Sequence, residues 1–236
     1  MRKNRLARAS YWAVVYFIRL CTFLYVRGPK VEGRENVPKT GGGILVSNHL
    51  NNADPCVIPG ALGRRVVSMA KKEMFKWPGV NILFLMIGAF PVDRGGADLG
   101  ALREAQRTVN SGLLLLMFPE GTRSKDCQLK RGFAGTALVA YRTGAPLIPV
   151  AVTGTEVLKW PLLFFKPFMG PSVTIRFGAP FYPPAVERIT TQAAKDATDD
   201  IMVHIAELLP VEYQGEFREA VVERAVDARQ RAAGTV

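Results

Sequence analysis

Histidine is scarce in this chain, with two residues in 236, at positions 49 and 204. Proton transfer by an imidazole therefore has few places to occur. Cysteine is scarce as well. Cys21, Cys56 and Cys127 are odd in number and scattered, without metal-ligand spacing. That excludes a disulfide framework and a zinc site, and it fits a reducing compartment. Acidic residues are outnumbered, 20 against 31 basic, leaving a net charge of +11. The excess suits a polyanionic partner: nucleic acid, an anionic membrane surface or a phosphorylated substrate. A dense basic run interleaved with aromatics is missing, so nucleic acid is not expected as a partner. A long clean apolar run is missing too. Arg19 breaks the stretch between Tyr11 and Val26, at a cost of about 2.5–3.5 kcal/mol at mid-bilayer. No small-x-small cleavage site follows it, against a signal peptide.

What is present is 48% hydrophobic and 22% charged, enough apolar material for one ordinary domain with a sizeable core. Internal repeats and low-complexity tracts are absent. Plotted at about 100° per residue, Arg5, Arg8, Arg19 and Thr22 share one arc. Leu6, Ala13, Val14, Phe17, Leu20, Cys21 and Leu24 share the opposite one. Residues 1–30 are thus expected to form a basic amphipathic helix lying on an anionic membrane surface. The plainer alternative is a helix packed on the domain. Residues 31–236 form the domain itself.

Further along, short apolar runs alternate with helical patterns. Strands are expected at Val31–Arg34, Gly43–Ser47, Arg65–Ala70, Ala89–Val92, Leu113–Phe118, Pro146–Val152 and 172–177. Helices are expected from Asp54 to about Ala61, from Pro78-Gly79 through Phe84, and over Ala97–Asn110, Phe133–Arg142, 190–208 and 216–231. This is an α/β pattern: a mixed, largely parallel central sheet flanked by helices. Asp54 reads as the N-cap of the helix that opens at Pro55.

Polar loops at strand C-termini are where such sheets place their sites. Three qualify: His49–Asp54, Asp93-Arg94 and Glu120-Gly121-Thr122-Arg123. Together they supply a base, a carboxylate to orient it and two guanidinium forks suited to phosphate oxygens. Lys71 and Lys130-Arg131 add positive charge. Plain readings stand beside these. Asp54 serves as a helix cap alone, Pro119-Glu120-Gly121 as a turn, and Arg94 and Arg123 as solvated charges. Leu113–Phe118 reads as core strand rather than acyl groove. Cys56, seven residues after His49, pairs with it as a nucleophile or is an inert core thiol; the second is the commoner case. His204 reads as structural or exposed. Lys159–Phe168, rich in proline, aromatics and flanking lysines, reads as a membrane-boundary loop or a loop tucked on the core.

Four motifs occur in order: Asn48-His49-x4-Asp54; Lys71-x-Glu73-Met74 with Asp93-Arg94; Phe118-Pro119-Glu120-Gly121-Thr122-Arg123-Ser124; and Leu147-Ile148-Pro149-Val150. Over about residues 31–182 the chain resembles the phospholipid and glycerolipid acyltransferases, typified by the lysophosphatidate acyltransferases. The resemblance implies acyl transfer from acyl-CoA or acyl carrier protein to a lysolipid hydroxyl. His49 would be the base and Asp54 its partner. Glu120, Gly121, Thr122 and Arg123 would bind the acceptor, helped by Arg94 and Lys71. No metal or cofactor is implied. Glycerol-3-phosphate or another lysolipid is the alternative acceptor, and a non-catalytic basic lipid- or nucleic-acid-binding protein the alternative class. The expected place is the cytoplasmic face of the membrane, peripheral or monotopic. Asn51 departs from the small hydroxyl residue that many family members carry there.

Overall fold

The computed structural model describes residues 11–17, 20, 29–93, 98–158 and 172–233. Seven strands form the sheet among these residues: β1 (Lys30–Glu32), β2 (Gly43–Ser47), β3 (Val66–Lys71), β4 (Phe90–Val92), β5 (Leu114–Met117), β6 (Leu147–Thr153) and β7 (Thr174–Phe177). Their spatial order is β1-β7-β6-β2-β5-β3-β4. Only the β6–β7 pair is antiparallel. The largely parallel α/β sheet expected from the sequence is what forms.

β2 lies in the middle, between β6 and β5, with every residue buried. Its alternation serves two cores. Ile44 and Val46 pack with Leu115, Met117 and Leu147 on one face. Leu45 packs with Leu114, Leu116 and Ile148 on the other. A strand covered on both faces reads as an unbroken apolar run, which is why β2, β5 and β6 stand out in the sequence.

Helices cover both faces. The first face carries α4 (Leu99–Asn110), α5 (Gly135–Thr143) and α6 (Thr191–Leu208). The second carries α2 (Asp54–Gly60). Caps set the boundaries: Asp98 accepts from the Ala101 N–H and Thr190 from the Ala193 N–H. The third core joins α1 (residues 11–17) to α3 (Val80–Ile87), and α7 (Arg218–Ala233) closes the chain. α3 runs one turn past its expected end at Phe84, to Gly88 in the left-handed conformation.

The described part of the N-terminal segment, α1, packs on the domain. Tyr11, Val14 and Val15 are buried against Ile87 and Ala89. The Tyr11 hydroxyl accepts from the Val66 N–H and donates to its carbonyl, extending the ladder at the start of β3. Ala13, Tyr16, Phe17 and Leu20 are exposed. The helix is therefore apolar on two faces and packs only one of them. Arg5, Arg8, Arg19 and Thr22 lie outside the described residues.

Candidate active site

β2, β5, β6 and β3 run parallel, so their C-terminal ends share one edge. The loops after β2 and β5 meet there, and each backbone polar group of His49 finds a partner. Its N–H donates to Glu120 Oε1 at 3.0 Å, and its carbonyl accepts from the Ser124 N–H at 2.8 Å. One residue earlier, the Asn48 side-chain amide accepts from the Val152 N–H and donates to the Val152 carbonyl, both at 2.8 Å. The amide acts as one more ladder rung, fixing where β2 leaves β6.

The imidazole is held as firmly. Nδ1 lies 2.8 Å from Asp54 Oδ2, and the ring stacks on Phe118 at 4.1 Å between centroids. A carboxylate acceptor at Nδ1 places the proton there and leaves the Nε2 lone pair free. Nε2 has no hydrogen bond among the described residues, while the side chain keeps 6% exposure.

Asp54 is fully buried and is not the N-cap. Ala53 holds that position without a side-chain bond, and Asp54 opens the helix. Its Oδ2 turns back to accept from Leu50 N–H and Asn51 N–H, each at 2.8 Å, as well as from the imidazole. Oδ1 is buried without a hydrogen-bond partner among the described residues. One oxygen therefore both closes the loop and orients the base. Asn51 closes the loop further: its Oδ1 accepts from the Ala53 N–H, and its Nδ2 donates to the Leu158 carbonyl at 2.9 Å.

Glu120 is 4% exposed, and Oε2 accepts from the Lys130 N–H at 3.3 Å. Both its oxygens thus face main chain. Burial pushes the carboxyl up to about 7, opposed by the His49 and Lys130 N–H groups and the Lys130 charge. Gly121 adopts φ +66°, and a Cβ there would meet the Phe133 ring at 2.9 Å. Thr122 and Arg123 are exposed, with no hydrogen bond or ion pair among the described residues. Lys71, at the end of β3, is exposed and 3.7 Å from Glu73. Arg94 and the Lys159–Phe168 segment lie outside the described residues.

The Cys56–His49 pairing does not form. Nδ1 is taken by Asp54, and burial, with the Asp54 charge adding to it, pushes the Cys56 thiol up to about 11. Such a thiol stays protonated near neutral pH. His204 is structural, stacked on Phe181 at 3.7 Å. Sequence reasoning missed Phe118 and Ser124 as supports of the histidine. The signal for Ser124 was a small polar residue closing a motif whose first half contacts another loop.

Residues 28–153 match the family model described as Acyltransferase. Among curated proteins, the 1-acyl-sn-glycerol-3-phosphate acyltransferase of Limnanthes douglasii is 33% identical over 147 residues, 60% of this chain and 50% of its own. The protein of that name from Bacillus subtilis is 33% identical over 129 residues, 54% of this chain and 63% of its own. The chain thus spans between half and two thirds of these relatives. The crystal structure of the 1-acyl-sn-glycerophosphate (LPA) acyltransferase PlsC from Thermotoga maritima is similar, with a TM-score of 0.66 and 27% identity. That likeness covers 85% of this chain and 80% of the other.

Proposed function

Because the chain belongs to the acyltransferase family, whose model matches residues 28–153 of its 236, we propose that it moves a fatty acyl group from a thioester to the free hydroxyl of lysophosphatidate. The product is phosphatidate, and the donor is acyl-CoA or acyl carrier protein. The observation that carries this reading is an imidazole with Nδ1 fixed on a buried carboxylate and Nε2 without a partner among the described residues, at a sheet edge it shares with the exposed Arg123.

In the proposed step the acceptor hydroxyl approaches His49 Nε2. Nε2 takes its proton as the oxygen attacks the thioester carbonyl. Asp54 stabilises the imidazolium that forms. The carbon–sulfur bond then breaks, the thiolate leaves, and the proton on Nε2 passes to it. A base placed this way contributes about 10²–10⁴ in rate. Thiolate is a good leaving group, so no covalent acyl-enzyme is needed. Arg123, with Thr122 and Gly121, receives the acceptor phosphate; Arg94 and Lys71 supply further positive charge. Glu120 supports the step differently, by holding the main chain of His49.

The acceptor lives in a membrane, and residues 1–30 are proposed to bring the domain to its anionic cytoplasmic surface. No helix among the described residues is long and apolar enough to cross a membrane. Deleting residues 1–27 would also remove Tyr11, Val14 and Val15 from the core, so substitution of the exposed Tyr16, Phe17 and Leu20 is the cleaner probe. The activity itself is tested with purified protein, acyl-CoA and a panel of lysophosphatidate, glycerol-3-phosphate and other lysolipids, read by product mass. Phosphatidate as the main product supports the reading. Acylation of another acceptor moves the activity within the family, and no product from any acceptor ends the proposal.

A further inference from the structure

The segment after β3 presents a cluster of exposed apolar side chains near the site edge. A 3₁₀ turn, Lys72–Lys76, leads directly into Trp77 and then α3. Trp77 is 64% exposed, Ile82 59% and Leu85 70%. Ile82 and Leu85 are three residues apart and share a helix face. That face is distinct from the one carrying Phe84 and Ile87, which pack with α1. Three large apolar side chains from nine consecutive residues thus remain in solvent. Lys72 and Lys76 precede them in the turn, both exposed; Glu73 is the one carboxylate within the turn, and Asp98 lies within electrostatic reach of Lys72. The turn starts at the C-terminal end of β3, the edge where the β2 and β5 loops also emerge.

From this arrangement we infer that Trp77, Ile82 and Leu85 enter the headgroup–acyl boundary of an anionic leaflet, with Lys72 and Lys76 at the phosphate level. Tryptophan suits that boundary because its body is apolar and its N–H stays hydrated. Lysine stems lie along apolar surface while their ammonium groups remain in water. Apolar area and attraction to anionic lipid then add, as in interfacial helices. The contact is separate from residues 1–30 and holds the site edge against the leaflet. It rests on the lipid-acceptor reading for its purpose, whereas its test reads binding alone.

The test uses full-length protein and sedimentation with unilamellar vesicles of phosphatidylcholine, with or without phosphatidylglycerol. W77S/I82S/L85S is expected to lower partitioning into phosphatidylglycerol vesicles by about tenfold or more. K72E/K76E is expected to lower it there, with little change on phosphatidylcholine alone. The triple variant should acylate a water-soluble short-chain acceptor at the wild-type rate and a vesicle-embedded one more slowly. Unchanged partitioning of a triple variant that melts like wild type would overturn the inference. So would lipid-free sedimentation velocity showing a wild-type dimer and a variant monomer, since the face would then join two copies of the chain. Lost partitioning with no acceptor acylated by the wild type would leave the anchor standing and remove the transfer reading instead.

Discussion

The loop after β2 and the loop after β5 leave the same sheet edge, yet they are held in opposite ways. In the first, His49 has partners at its N–H, its carbonyl and Nδ1, and Phe118 covers one ring face. In the second, Glu120 and Ser124 are buried and engaged, while Thr122 and Arg123 between them stand in solvent. The contrast follows from the work proposed for each. A base must sit within tenths of an ångström of one hydroxyl, and every bond to its backbone narrows its position. A guanidinium that captures a phosphate tolerates a range of approaches and benefits from reach. The second loop also does both jobs at once: its ends brace the histidine and its tip meets solvent.

Breaking the rigid side should hurt far more than breaking the open side. After loss of His49 itself, Asp54→Asn is expected to have the largest effect, lowering kcat by about 10³–10⁴. The amide oxygen can still accept from Leu50 and Asn51, but the ring loses its carboxylate, so far-UV circular dichroism should stay unchanged while turnover collapses.

Glu120→Gln comes next. An amide cannot accept from both the His49 and Lys130 N–H groups through its two ends, so one donor is left unpaired, costing about 1–3 kcal/mol. We expect kcat to fall about tenfold or more with KM nearly constant. A rise in KM with kcat intact would place Glu120 on the substrate instead. The same residue carries a pH signature. Its folded carboxyl titrates at about 7 against an ordinary 4.5. Between those values the folded state binds the extra proton, so unfolding free energy falls as pH rises. Urea unfolding across pH 4.5–7.5 should show this slope in wild type and lose that component in Glu120→Gln.

Arg123→Ala should act on the other side of the contrast. The expected change is a rise in KM for lysophosphatidate of about tenfold, with kcat little altered. Added salt should narrow the gap to wild type, because the exposed charge is screened. Cys56→Ser should have the smallest effect, with turnover close to wild type. A large loss there would reopen the thiol as a participant.

The sequence disclosed the sheet and the base more readily than the supports. Ile44, Leu115 and Ile148 are apolar because each sheet face is covered, a demand visible in any run of consecutive residues. His49 and Asp54 are five residues apart, so a local turn suffices to join them. What escaped notice depends on distant chain. The carboxylate of Glu120 turns inward because His49, 71 residues earlier, presents an N–H to it. Asp54 looked like a cap because aspartate before proline usually is one; here the N–H groups of Leu50 and Asn51 draw the same oxygen backward. On α1, a single apolar arc was expected, and Tyr11, Val14 and Val15 packing against α3 leaves a second one outside. No spacing rule tells which of two apolar faces a neighbour will cover.

Transfer to a lysolipid hydroxyl requires His49 to act as the base. The most direct test is phosphatidate formation, followed by mass from acyl-CoA and lysophosphatidate, in wild type and in a His49→Ala variant of unchanged melting temperature. Phosphatidate is expected from wild type, with a loss of about 10³–10⁴ in the variant; a variant within a few-fold of wild type would contradict His49 as the base.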